Sequence, residues 1–366
     1  MKVPFLDLRA PYVELRTEID AAYARVMQSG WHVLGPEVAA FEAEFAAYCG
    51  AAHCVTVGNG CDALELTLRA LDIGPGDEVL VPAHTFVATW FAVTAVGARP
   101  VPVEPDEKTF TIDPGCAEAA VTSRTRAIIP VHLYGQPADL SSLRAVAARH
   151  GLAVVEDAAQ AAGARHRGDR IGAGSSAVAF SFYPAKNLGA AGDSGAVVTD
   201  DAALADRLRL VRGYGAREKY RHEVIGTNSR TDELQAAILR VKLRRLDDWN
   251  ARRATVAQRY LDELGGAGDL LLPAVASWAE HAWHLFVVRT GRRDELRGRL
   301  AAAGVETIIH YPTAVHRCAA YAELGWPPGA FPLAERLAAE VLSLPIGPHL
   351  SGEQAGAVIS AVRRAC

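Results

Sequence analysis

Between residues 53 and 199, short apolar runs alternate with stretches of helical periodicity, and this alternation limits the possible folds more than any other feature of the chain. Strands are predicted at His53–Val57, Glu78–Val81, Arg99–Val103, Arg126–Val131, Ala153–Glu156, Ala177–Phe182 and Ala196–Thr199. Helices are predicted between them, as at Cys61–Leu71, Thr85–Val96 and Leu140–His150. Such a pattern predicts an α/β domain, a mostly parallel sheet with helices on both faces. Two amphipathic helices should precede it, Tyr12–Gln28 and Pro36–Tyr48, the second opened by a proline at its first position. After about residue 200 the pattern changes. Gly213–Arg230 is polar, basic and flanked by glycines, and a long helical stretch runs from Thr231 to about Leu264. Strand-like pieces (Leu285–Arg289, Glu306–His310) and a helix-like piece (Leu333–Leu342) complete the chain. The expected division is a large domain over 1–245 and a smaller α+β domain over 246–366.

Half of the 366 residues are apolar, enough for a full core. The net charge of −4 argues against nucleic-acid binding, which favours a basic excess. The first residues, MKVPFLDLRAPYVELR, hold no apolar signal core, and no run reaches the roughly 18 apolar residues of a membrane helix. Six cysteines without a CxxC pair read as thiols, and the expected location is the cytoplasm. Among twelve histidines the nearest thing to a ligand pair is His281-x-x-His284, with no cluster of acidic or cysteine partners nearby, so no metal is expected.

Three segments carry chemistry. Val55–Val57 runs into Gly58-Asn59-Gly60-Cys61-Asp62-Ala63, a small-residue turn before a helix, where backbone N–H groups can approach a phosphate. The same letters approximate a dinucleotide fingerprint, but the second strand ends Val81-Pro82-Ala83-His84, without the acid that would hold a ribose. A monophosphate cradle at Gly60 and Cys61 is the better reading. Next, Val154–Gln160 is a buried strand ending in Asp157, at the carboxyl end where ligand groups gather in open α/β sheets. Last, Ala179–Gly189 places Lys186 just beyond an apolar strand and Pro184, in a chain with five lysines against 33 arginines. A lysine can lose its proton and form a Schiff base; an arginine cannot. Together these fit pyridoxal phosphate (PLP), which needs an amine (Lys186), a carboxylate for its ring nitrogen (Asp157) and a phosphate cradle (Gly60, Cys61, Ser181).

The chain resembles the DegT/StrS family of sugar-nucleotide aminotransferases, members of the fold-type I PLP superfamily. The resemblance rests on Val3-Pro4-Phe5-Leu6-Asp7-Leu8, Gly74–Val79, Val155–Gln160, Phe180–Pro184 with Lys186–Gly189, Gly226–Arg230 and His310-Tyr311-Pro312. It implies that Lys186 holds the cofactor aldehyde, Asp157 its ring nitrogen, and that Gln160 lies beside its 3-hydroxyl. Phe86 aligns with the aromatic that stacks on the ring. Asn228 would reach the phosphate of a neighbouring subunit's cofactor, implying a homodimer with shared sites. Asn59-Gly60-Cys61 departs from the family's commoner Ser-Gly-Thr, so one hydroxyl contact is lost. Lys186 stands against the branch of dehydratases that carry histidine there. The implied reaction moves an amino group from L-glutamate to a nucleotide-linked keto sugar. Lys219 and Tyr220 in the basic loop are candidates for the nucleotide or phosphates, and Tyr183, His310 and Tyr311 for the sugar. Amination at C3 of a dTDP-3-keto-6-deoxyhexose ranks first, at C4 second, and a nicotinamide-dependent sugar-nucleotide enzyme is the remote alternative.

Overall fold

The computed structural model describes all 366 residues. Seven strands form the main sheet: β1 His53–Val57, β2 Glu78–Pro82, β3 Arg99–Val103, β4 Thr125–Ile128, β5 Ala153–Asp157, β6 Ala177–Ser181 and β7 Gly195–Thr199. Their spatial order is β1-β7-β6-β5-β4-β2-β3. β7 is antiparallel to both neighbours and the other pairs are parallel. Side chains alternate between faces along each strand. Val55, Val57, Ala177, Ala179 and Val197 pack with the helices Gly60–Ala70 and Ala202–Arg212. Cys54, Val178, Phe180, Ala196 and Val198 face the helices Pro36–Cys49 and Glu233–Leu243 instead, where Phe45 stands edge-on to Phe180 and Phe182. Both sheet faces are therefore dry, as the near-continuous apolar strands require.

Four expectations are corrected. The opening helix is broken at Leu15 (φ −113°, ψ 21°), whose side chain turns inward against Trp249 and Val241, so Ala10–Glu14 and Arg16–Ser29 are separate. The long stretch after Thr231 splits at Arg244–Arg245 into Glu233–Leu243 and Leu246–Leu264. The first of these buries Ala236 and Leu239 on the main sheet, the second Ala257, Tyr260 and Leu264 in another core, and one straight helix could not face both. Glu306–His310 is not a strand; only Ile308 bridges to Ser343. The helix at Pro332 ends at Glu340, and Val341–Leu344 pairs antiparallel with Phe286–Arg289. That second core, with Phe286, Leu342 and Val362, also buries Val3, so the first residues of the chain pack with the last third. No helix is long and apolar enough to cross a membrane.

The helix Pro36–Cys49 has no side-chain cap of its own. Buried Glu233 supplies one from 195 or more positions away, accepting from the N–H groups of Gly35 (2.7 Å), Glu37 (2.8 Å) and Val38 (2.9 Å). Charged acceptors at a helix N-terminus satisfy orphan donors and oppose the helix dipole favourably. Glu233→Ala is expected to lower the unfolding free energy by about 2–4 kcal/mol. Denaturant titration measures this, and a loss below about 1 kcal/mol would show that water replaces the carboxylate without cost.

Candidate active site

β1 leads into a turn whose Asn59 side chain accepts from Asp62 N–H at 2.9 Å and caps the helix beginning at Gly60. The turn is pressed against the ends of β6 and β7. A Cβ on Gly60 would stand 2.7 Å from Ser181 Cβ, and one on Gly195 would stand 2.5 Å from the Asn59 carbonyl. Only glycine at both positions lets a helix N-terminus and the Ser181 hydroxyl meet as one anion-binding corner. The turn is tied from behind as well: Ser229 Oγ accepts from Gly58 N–H at 2.9 Å and donates to Asp62 at 2.5 Å.

Asp157 ends β5. Its backbone N–H donates to Pro130 and its carbonyl accepts from His132 N–H, which fixes the strand end against its neighbour. One carboxylate oxygen accepts from Thr89 Oγ1 at 2.9 Å and the other from Ala159 N–H at 3.1 Å. Burial pushes this carboxyl up; those two donors and the charge of Lys186 act against the rise. Beyond β6 the chain turns at Pro184, where Lys186 N–H donates to the Tyr183 carbonyl at 2.8 Å. Lys186 is part-buried, its open fraction facing a cavity. Desolvation pushes its ammonium down to about 8, with Asp157 as the opposing charge. Half of its molecules at mildly basic pH therefore carry a free lone pair, whereas an unperturbed lysine titrates near 10.4.

The cavity holds about 430 Å³, within the range of small-molecule clefts. It brings together Gly60, Cys61, Phe86, Asp157, Gln160, Ser181, Tyr183, Lys186, His310 and Tyr311, every one of them singled out from the sequence. Gln160 is a strut: its Oε1 accepts from Tyr134 N–H at 2.6 Å and its Nε2 donates to the Tyr311 hydroxyl at 2.9 Å. The Tyr311 ring lies 5.3 Å from that of Phe86. Burial pushes His310 down to about 4 and Tyr311 up, so both are neutral near pH 7. Burial raises Cys61 to about 11, leaving a neutral thiol near Ala88 O. Asn228, Lys219 and Tyr220 do not line this cavity. Asn228 is exposed beside Gly213, and Lys219 and Tyr220 sit at the tip of the Ala216–Glu218/Arg221–His222 hairpin, with Tyr220 82% exposed.

Sequence reasoning missed Thr89, the second anchor of Asp157, and His284, which also lines the cavity. Thr89 lies one helical turn after Thr85, to which its hydroxyl is bonded, and a threonine pair opening an apolar helix was the available signal. His284 was noticed only for its spacing from His281, as a ligand pair that was set aside, and not as a residue of this cavity.

These residues fit PLP at three points: an amine of lowered basicity, a buried carboxylate on the strand end beside it, and a corner that only glycine leaves open for a phosphate. Fold and site define a PLP-dependent aminotransferase. Residues 13–363 match the DegT/DnrJ/EryC1/StrS aminotransferase family, and the chain belongs to it. It is 66% identical over 363 residues, 99% of each chain, to a Saccharopolyspora erythraea protein called erythromycin biosynthesis sensory transduction protein EryC1. It is 61% identical to the dTDP-3-amino-3,4,6-trideoxy-alpha-D-glucose transaminase of Streptomyces venezuelae, over 99% of this chain and 96% of that one. The crystal structure of S. venezuelae DesV, in complex with a ketimine intermediate, superposes with a TM-score of 0.98 at 61% identity, covering 99% and 98% of the two chains.

Proposed function

We propose that this enzyme transfers an amino group from L-glutamate to C3 of a dTDP-3-keto-6-deoxyhexose, yielding 2-oxoglutarate and a dTDP-linked amino sugar. The observation that carries the reading is one cavity in which Lys186, Asp157 and the Gly60–Ser181 corner converge, in a chain 61% identical to a dTDP-amino-sugar transaminase along nearly its whole length. When bound, PLP supplies an aldehyde for the amine and a protonated ring that draws electrons from the bond broken at the amine carbon. The rest falls to the chain. The backbone N–H groups at Gly60 and Cys61 and the Ser181 hydroxyl would hold the phosphate, and the Asp157 carboxylate would keep the ring nitrogen protonated. Phe86 would cover the ring, and Gln160 holds Tyr311 at the cavity. Lys186 Nζ takes a proton from the substrate's amine carbon and returns one on the other side of the exchange, serving both halves of the reaction. Tyr183, His310 and Tyr311 offer polar groups to sugar hydroxyls.

The reading includes a large domain over 1–245, a smaller one over 246–366, a cytoplasmic location and a homodimer. The exposure of Phe86 and Tyr183 at the mouth of the cavity, and of Tyr214, Tyr220, Val224 and Ile225 elsewhere on the chain, is consistent with a partner subunit. Lys219, Tyr220 and Asn228, which miss their own cavity, would then serve the partner's. A purely regulatory role, as the name of EryC1 suggests for that protein, leaves the lowered basicity of Lys186 without a use.

The test is incubation of purified protein, PLP and L-glutamate with dTDP-3-keto- and dTDP-4-keto-6-deoxyhexoses, with 2-oxoglutarate and the sugar product followed by mass spectrometry. Amination of the 3-keto sugar is expected. Turnover of the 4-keto sugar alone would overturn the position, and turnover of neither would overturn the sugar class.

A further inference from the structure

We propose that the Tyr311 hydroxyl is a one-way hydrogen-bond donor into the cavity, that Gln160 and Tyr134 are the positioning residues that fix it so, and that its target is an oxygen of the keto sugar. The inference rests on the reading of this cavity as a sugar site.

A backbone N–H can only donate. That of Tyr134 lies 2.6 Å from one end of the Gln160 amide, so this end is the oxygen. The other end is therefore the NH₂, and it stands 2.9 Å from the Tyr311 hydroxyl. An amide nitrogen gives hydrogens and takes none, so the hydroxyl oxygen accepts from it. The single hydrogen of Tyr311 is left over, and no group of the chain receives it. Burial pushes the phenol up, so that hydrogen stays in place near pH 7. Tyr311 is only part-buried, and it lines the cavity.

Tyr134 lies outside the cavity and holds this arrangement from behind. It sits in the turn Leu133–Gly135 at φ 62°, ψ 0°, a left-handed conformation that bulky residues rarely adopt and that tends to persist where function needs it. Its N–H meets Gln160 in that conformation, while its carbonyl accepts from Leu285 N–H at 3.1 Å. Its hydroxyl reaches the His310 carbonyl and must donate there. With that hydrogen spent, the hydroxyl oxygen accepts from His84 Nε2 at 2.8 Å. Burial pushes His84 down to about 4, so the ring is neutral and carries its one hydrogen on Nε2. Tyr134 thus grips both the amide that orients Tyr311 and the residue next to Tyr311, each through a bond whose direction is fixed.

A donor with no acceptor in the protein selects an acceptor in the ligand. The carboxylates of glutamate form their strongest bonds with charged donors. The oxygens of a sugar are neutral and suit a phenol that keeps its proton.

The test measures kcat/KM for the keto sugar and for L-glutamate in the PLP-loaded enzyme, since in a ping-pong reaction each constant reports its own half. Tyr311→Phe is expected to lower kcat/KM for the sugar by about tenfold or more, and that for glutamate by less. Gln160→Glu keeps an acceptor for Tyr134 N–H but has no hydrogen for Tyr311, so the phenol turns its own hydrogen back to the carboxylate. In that background Tyr311→Phe should cost the sugar constant less than about twofold, because the donor is already withdrawn. If Gln160 acts only on the cofactor or on packing, Tyr311→Phe costs the same factor in both backgrounds, and the proposal fails. A larger loss for glutamate than for the sugar would overturn the sugar oxygen as the target. Neutron diffraction from deuterium-exchanged crystals of the PLP-loaded wild type needs neither turnover nor a folded variant. It should place two deuterons on the Gln160 atom facing Tyr311, and the Tyr311 deuteron toward the cavity. A Tyr311 deuteron aimed at Gln160 would overturn the proposal. Turnover of a keto sugar with equal costs in the two backgrounds would sink this inference alone, whereas failure to turn over any keto sugar would remove the reading beneath it.

Discussion

Lys186→Ala is expected to abolish turnover, by on the order of 10⁴-fold or more, because in the proposed reaction one amine both holds the cofactor and moves the proton. Thermal stability should change little, since the side chain faces a cavity rather than a packed core. Borohydride treatment of the PLP-loaded wild type should fix the cofactor to the peptide containing Lys186, and mass spectrometry of the variant should find none there. Lys186→Arg should fail equally, since arginine keeps the charge but cannot offer a lone pair. The pH dependence follows from the lowered basicity. Only the neutral amine adds to an aldehyde, so PLP attachment to cofactor-free protein should speed up as pH rises and level off above about 8. An unperturbed lysine would keep accelerating toward pH 10. Lys242, also pushed down to about 8 by burial, is engaged by the Gly189 carbonyl at 2.6 Å and outside this cavity. Attachment that persists in Lys186→Ala, or a plateau only near pH 10, would remove Lys186 from its assigned role.

Asp157→Asn carries the second largest expected effect. The amide nearly reproduces the shape of the carboxylate: its oxygen can still accept from Ala159 N–H, and its NH₂ can donate to Thr89 Oγ1. The fold should survive, but the buried negative charge proposed to face the ring nitrogen is lost. A preorganised charge in a dry site contributes on the order of 10²–10³-fold in rate, and that is the expected fall in turnover number. Retention of PLP on the protein should drop less, because the phosphate corner and Lys186 are untouched. Turnover within a few-fold of wild type would mean that another group balances the ring nitrogen. Thr89→Val, which frees one carboxylate oxygen, should give a smaller loss in the same direction.

Much of the site could be read from the chain because its parts lie at the ends of regular elements. Asp157 closes an apolar strand, Gly60 opens a helix after another, and Lys186 follows a third. Each is a residue type that stands out against its own neighbours. Likewise Leu140–His150, a helix between two strands, runs where its periodicity placed it. The misplaced elements are those whose local pattern was overruled by contacts. Leu15 belongs to a helical pattern and still leaves the helix, because burial beside Trp249 outweighs one turn of regular hydrogen bonding. Glu306–His310 alternates like a strand but has a partner only at Ile308.

Taken alone, the sequence determined the α/β alternation, the two faces of the main sheet, and which lysine, acid and glycine turn would share one cavity. Those features follow from side-chain period and residue chemistry, which are written in neighbouring letters. Only the tertiary structure decided that Glu233 caps a helix nearly 200 residues earlier and that Thr89 anchors Asp157. Each of these is a polar pairing between distant segments. A single polar residue carries no mark of its partner until folding brings the two together and burial obliges them to bond.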